Sequence, residues 1–232
     1  MLQSLPTKYW RFDCAGDVPY HEHTDWSVWT ILEFTLHKTV NSIMNAASAL
    51  FLQRNYADVT MAEIAGQSGV SKGAVYHHFS SKEDLYLAMM RADLSEKQQL
   101  FAQAVETTAP CRDRLALLTR SFFSLSGDKR RLAGLIRRDI NALGDAARSE
   151  LIGRYQAALP NQIQAIIDDG IQSGELNGRD PRLLAWSFIA IVETLLSRYG
   201  DEVLNEVEAK LDFVVDLFMN GAAAQLQETP TP

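Results

Sequence analysis

The chain has 232 residues, 47% of them hydrophobic and 22% charged, with a formal net charge of −7. That length allows a sizeable core, and the composition is that of a soluble globular chain rather than a disordered one. Only two cysteines occur, Cys14 and Cys111, far apart and outside any CxxC spacing, so neither a disulfide framework nor a structural zinc site is signalled and a reducing, cytoplasmic setting is expected.

Residues 1–36 are expected to form an N-terminal extension of unknown role. Lys8 and Arg11 are followed by Asp13, Asp17, His21 and Glu22, not by the apolar stretch of an export signal. Cys14, His21, Glu22, His23 and Asp25 include an HxH pair, but the pattern is weak for a metal site. No metal or cofactor is expected. Thr24 or Asp25 can cap a short helix through Trp26, Trp29 and Leu32 that packs on the following domain; an over-extended translation start is the other explanation. The most apolar stretches, SVWTILEFTL from Ser27 and AWSFIAIVETLL from Ala185, are broken by Glu33 and Glu193 and fall short of the ~20 residues of a membrane span.

Beyond residue 37 the apolar spacing is helical almost throughout, which predicts an all-α protein of about nine helices. Val40, Ile43, Met44, Ala47, Leu50 and Phe51 lie on one helical face, and Asn55 suits the left-handed conformation that ends many helices. Thr60 and Glu63 make a capping box for a helix from Met61 to about Gln67. Gly69 supplies a turn, and Ser71 caps a third helix reaching about His78. Ser80 or Ser81 caps a long fourth helix to about Thr107, with Glu83 and Asp84 complementing its dipole. Pro110, Gly127–Asp128, Gly144–Asp145, Gly174 through Pro181 and Gly200–Asp201 divide the remainder into about five further helices. The tail QLQETPTP, within 226–232 and just before it, reads as disordered.

Two of the later helices carry long apolar stripes. Leu184, Phe188, Ile191 and Leu195 alternate spacings of four and three, and Leu204, Val207, Leu211, Val214 and Phe218 form a cleaner repeat of the same kind. Such stripes suit a helical-bundle interface between two chains, and equally burial inside one.

Ile64, Ala65, Gly69, Val70 and Val75 have the spacing of a helix-turn-helix, which holds the helix at 71–78 rigidly with one face outward. That geometry suits insertion into a major groove about 12 Å wide. The stretch IMNAASALFLQRNYADVTMAEIAGQSGVSKGAVYHHFSSKEDLYLAMM resembles the DNA-binding domain of the tetracycline-repressor (TetR) family over about residues 37–90. Ala47, Phe51, Tyr56, Thr60, Ile64, Ala65, Gly69, Val70, Ser71, Gly73, Tyr76, Phe79, Lys82 and Leu85 carry the likeness, and Asn55 stands where that family usually has glycine.

The resemblance implies a homodimeric, all-helical transcriptional regulator, usually a repressor, with a DNA-binding domain at 37–84 and a ligand-binding and dimerisation domain at 85–225. It also implies phosphate contacts from Thr60, Tyr76, His77 and Lys82, with Ser71, Lys72, Gly73 and Ala74 nearest the base edges. The partners expected are a palindromic double-stranded DNA operator, a second copy and an unidentified small-molecule effector, with no membrane. Net charge does not conflict with this: from Lys38 to Arg91 five Lys and Arg stand against four Asp and Glu, and Ile64 to Lys82 holds no acid. Phe79 is expected in the core.

Nothing from 91 to 225 resembles a catalytic signature, so regulation by binding, not enzymatic activity, is expected. Phe122, Phe123, Tyr155 and Trp186 are candidates to line a ligand cavity, with Arg137 or Asn141 as polar anchor. The run KRRLAGLIRRDI from Lys129, with Arg130, Arg131, Arg137 and Arg138, is expected to be a solvated helix face, an anionic-ligand or second DNA site being the other reading. Two further functions stand beside the leading one: an architectural or cell-division DNA-binding factor without an effector, and a metal enzyme built on the N-terminal His and Cys residues.

Overall fold

The computed structural model describes the backbone of residues 26–222 and the side chains of residues 38–221. The expectations for Cys14, His21, Glu22, His23, Thr24 and Asp25, for the side chains of Trp26, Trp29 and Leu32, and for the C-terminal tail lie outside the described residues. The chain divides into two compact units, residues 1–38 and 39–232, and the packing below is that of the second.

Among the described residues the fold is all-α. The helices are α1 (Trp26–Gln53), α2 (Met61–Ser68), α3 (Lys72–His78), α4 (Lys82–Glu106), α5 (Cys111–Ser124), α6 (Gly127–Asp139), α7 (Asp145–Ala158), α8 (Pro160–Gln172), α9 (Pro181–Leu195), α10 (Arg198–Val203) and α11 (Val207–Ala222). Short 3₁₀ turns occupy Tyr56–Asp58 and Ile140–Ala142.

Local chemistry sets the boundaries of the first four helices. Thr60 accepts the Glu63 N–H while Glu63 accepts the Thr60 N–H, closing the capping box of α2. Gly69 takes φ +74°, the left-handed turn for which glycine is suited. Ser71 accepts the Ala74 N–H at 3.1 Å and Ser81 the Asp84 N–H at 3.0 Å, starting α3 and α4.

Four expectations need correction. The described backbone has one helix, Trp26–Gln53, where a separate short helix before residue 37 was expected. Asn55 is extended at φ −64° and ψ 154°, preceding the 3₁₀ turn, and does not end a helix in the left-handed region. Among the described residues seven helices follow α4, where about five were expected. Pro160 opens α8 because proline lacks the N–H that would continue α7, and Ser197 caps α10 by accepting the Gly200 N–H at 3.1 Å.

The fourth correction concerns the apolar stripes. Leu184, Phe188, Leu195, Leu211, Val214 and Phe218 are buried within the chain, while Ile191 and Leu204 pack half-buried against its core. Only Val207 of the nine is exposed. The stripes fill the seams of α9 with α8 and α11, and of α11 with α5; Phe188 and Phe218 meet edge to face at 5.1 Å. Periodicity reports burial without naming what covers it.

Long α4 is the axis of the bundle, packing on α5, α6, α7 and α8. At its N-terminal end Tyr86 joins Phe51 and Tyr56 in an aromatic cluster with ring separations of 5.0 and 5.2 Å. Phe79 is buried, as expected.

Candidate nucleic-acid interface and effector cavity

Helix α3 is pinned to the domain by fully buried Val75 and presents Ser71, Lys72, Gly73, Tyr76 and His77 outward; Ala74 is half-buried. Tyr76 remains 47% exposed, a large area for an aromatic ring on a short helix. The Lys72 ammonium stands 5.8 Å from the centre of the Tyr76 ring. Of the residues expected near base edges, Ser71, Lys72 and Gly73 are therefore exposed at the start of α3.

Thr60 and Lys82 are differently placed. The Thr60 hydroxyl donates to Glu63 Oε2 at 2.7 Å, so its proton is used inside the capping box. Lys82 Nζ donates to the carbonyls of Tyr56 (2.7 Å), Ala57 (3.3 Å) and Val59 (2.8 Å), which takes all three ammonium donors. The ammonium also lies 4.4 Å from the Tyr56 ring centre. Burial lowers its pKa, with Asp58 and Glu63 acting the other way. The expectation of a free phosphate-contacting lysine is thus corrected: Lys82 ties the 3₁₀ turn to the start of α4 because the open carbonyls of that turn need donors. Nearby, Arg54 pairs with Glu63 at 2.9 Å and, with Thr60, holds the Glu63 carboxyl down at about 2.

The second site is a partly open cavity of about 270 Å³ among the helices of the bundle. Phe101, Leu118, Phe122, Ile163, Phe188 and Ile189 give it an apolar body, and Arg130, Arg131, Arg137, Tyr155 and Glu193 give it a polar side. Of the candidates read from sequence, Phe122, Arg137 and Tyr155 line it. Phe123 is buried on a neighbouring face of α5, Asn141 is exposed in a 3₁₀ turn, and Trp186 packs 6.1 Å from the Tyr155 ring without lining the space.

Glu193 was missed, whereas Arg130 and Arg131 belong to the run read first as a solvated face and otherwise as an anionic-ligand or second DNA site. Arg130, Ala133, Gly134 and Arg137 follow the i, i+3, i+4, i+7 rule and all line the cavity, so the supposed solvated face of α6 is corrected to a cavity wall. The signal was present in the spacing; the neighbouring helices that enclose that face were not.

The same α6 ends on the DNA-binding end of the chain. Arg138 Nη2 donates to the carbonyls of Phe51 (2.7 Å) and Arg54 (2.9 Å), which close α1. Buried Asp139 accepts the Tyr56 N–H at 3.3 Å and the Tyr86 hydroxyl at 3.4 Å, and pairs with Arg138 at 2.7 Å. One rigid helix therefore runs from the cavity wall to the turn that precedes α2.

A helix-turn-helix with an exposed second helix, joined to a helical domain with a partly open cavity, defines a DNA-binding regulator. Known proteins agree. The family model for bacterial regulatory proteins of the tetR family matches residues 43–89, and that for the tetracyclin repressor-like C-terminal domain matches residues 108–221. The chain belongs to the TetR family of transcriptional regulators.

It is 25% identical over 181 residues to the fatty acid metabolism regulator protein of Bacillus subtilis, covering 77% of this chain and 93% of that protein. It is 26% identical over 194 residues to the HTH-type transcriptional regulator TtgR of Pseudomonas putida, covering 78% and 91%. The structure of the regulator FadR from Bacillus subtilis in complex with stearoyl-CoA matches at a TM-score of 0.65 and 22% identity, over 78% of this chain and 97% of that one. A tetR-family regulatory protein from Rhodococcus matches at 0.71 and 19%, over 81% and 98%. These solved structures share the fold.

Proposed function

We propose that this protein is a ligand-responsive repressor that binds a palindromic operator as a homodimer through residues 37–84 and binds its effector within residues 85–225. The observation that carries ligand response is the course of α6, whose Arg130 and Arg137 line the cavity and whose Arg138 and Asp139 grip α1 and the turn before α2. An effector that prefers a shifted α6 biases the population toward a spacing of recognition helices that fits DNA poorly.

Dimerisation is supported by apolar side chains left outside the monomer core. Leu183 on α9 is 66% exposed, and Phe213 and Leu217 on the adjacent α11 are 46% and 51% exposed. A two-fold dimer places two α3 helices about 34–36 Å apart, so a palindromic site follows from symmetry. Ser71, Lys72, Gly73, Ala74, Tyr76 and His77 meet the DNA, with Thr60 and Lys82 acting through the scaffold they hold.

The effector has a long apolar body. The phenylalanine-lined cavity supports this, as do the likeness to a fatty acid metabolism regulator of Bacillus subtilis and to a regulator solved with stearoyl-CoA. A mobility-shift titration tests the whole reading. Specific binding to a palindromic fragment, weakened by salt and released by an acyl ligand, is expected; binding that no apolar ligand releases would identify an effector-free DNA-binding factor.

A further inference from the structure

One corner of the cavity holds polar groups that the protein does not fully use. Tyr155 lines the cavity and is only 8% exposed, yet its hydroxyl has no hydrogen-bonding partner among the described residues. Burial, and then the neighbouring Glu193 carboxylate, push that hydroxyl's pKa up, so it keeps a proton to donate. With no partner among the described residues to give up, that hydroxyl can donate to a ligand in the cavity without breaking a hydrogen bond of the protein.

Beside it Arg137 reaches Glu193 through a single contact, Nη1 to Oε2 at 2.6 Å, which leaves most of the five guanidinium donors open. Arg130 and Arg131 are occupied otherwise. Arg130 Nη1 bridges the carbonyls of Phe123 and Leu125 at 2.6 and 2.7 Å, and Arg131 pairs with Asp128 at 2.6 Å. Three guanidiniums thus line the cavity against the carboxylates of Glu193 and of Asp128, the partner of Arg131, so a further carboxylate enters a field that favours it.

Position adds an orientation. The side chains of Arg137 and Glu193 are 58% and 32% exposed, whereas Phe101, Phe122 and Phe188 are buried. A ligand with one anionic end therefore lies with that end at the Arg137–Glu193 pair and its apolar body among the phenylalanines.

We propose that the cavity selects an acyl chain ending in a free carboxylic acid, whose carboxylate displaces Glu193 from Arg137 and accepts the Tyr155 hydroxyl. This rests on the reading of the cavity as the effector site. A bidentate carboxylate gains two charge-assisted hydrogen bonds from the guanidinium. An ester or thioester carbonyl is neutral and leaves Glu193 in place, so it gains neither.

The test is calorimetric titration of the full-length protein with palmitate, methyl palmitate and palmitoyl-CoA below their micelle concentrations. Palmitate should bind the native protein about tenfold or more tightly than methyl palmitate. Arg137→Gln should abolish that preference, and Tyr155→Phe should weaken palmitate alone. Glu193→Gln should tighten palmitate and leave methyl palmitate unchanged, a gain of affinity that misfolding cannot produce. Equal affinity for acid and ester, or binding of palmitoyl-CoA with palmitate excluded, overturns the head-group proposal and leaves an apolar effector standing. Failure of all three to bind overturns both.

Discussion

Asp139 and Tyr56 are joined across 83 residues of chain: the buried carboxylate at the end of α6 accepts the backbone N–H of the turn between α1 and α2 at 3.3 Å. The same carboxylate takes the Tyr86 hydroxyl and pairs with Arg138. The polar groups meeting there are satisfied only together, so removing one member strands the others.

Asp139→Ala is accordingly expected to destabilise the protein by about 3 kcal/mol, through an orphaned Arg138 and an unpaired Tyr56 N–H. Urea unfolding measures this. In a mobility-shift assay the better-folded Asp139→Asn should still bind operator but respond less to effector. An unchanged effector response would remove α6 as the coupling element.

Tyr76 and Lys82 should separate by assay. Tyr76→Phe and Lys72→Ala leave the melting temperature unchanged and weaken operator binding, and Lys72→Ala lowers the slope of log affinity against log salt by about 1 if it touches phosphate. Lys82→Ala should lower both melting temperature and affinity, because three carbonyls lose their donor. Equal melting temperatures for native and Lys82→Ala protein would refute the scaffold role.

Asp93 and Lys97 form a buried ion pair one turn apart on α4, 5% and 1% exposed at their side chains. Burial pushes Asp93 up and Lys97 down, each toward its neutral form, while the partner pulls back. Asp93→Leu alone should cost about 3–5 kcal/mol by leaving Lys97 uncompensated. The double change Asp93→Leu with Lys97→Met should recover most of that loss in denaturant unfolding.

Acid should unfold the protein partly through Glu150. Hydrogen bonds from Arg91 and then Arg154 lower its pKa from 4.5 to about 2. A depressed folded-state pKa stabilises above the unfolded value, so this contribution is complete above about pH 4.5 and is lost as pH falls toward 2. Melting temperatures of Arg91→Gln should fall less steeply than native ones across that window; an identical slope would rule out the pair.

Much of the DNA-binding end was legible because its signals are local. The Thr60–Glu63 box, Gly69, Ser71 and Ser81 act within a few residues of themselves, and each appears in the structure as read. Lys82 was misread because its partners, the carbonyls at 56, 57 and 59, are brought to it only by the turn between α1 and α2. In the cavity Phe122, Arg137 and Tyr155 were found by residue type, whereas Glu193 and Arg130 required the meeting of α6 with α9 and the end of α5.

By itself the sequence determined the all-α class, the capped helix-turn-helix with an acid-free recognition segment, and the family to which both belong, since caps, turns and helical periods are short-range. Tertiary structure alone decided that the stripes of α9 and α11 close on their own chain and that the arginine run of α6 walls a cavity. It also brought Arg138 and Asp139 to the end of α1. Each of these depends on which helix lies against which, and residues far apart in the chain acquire that relation only when the core closes.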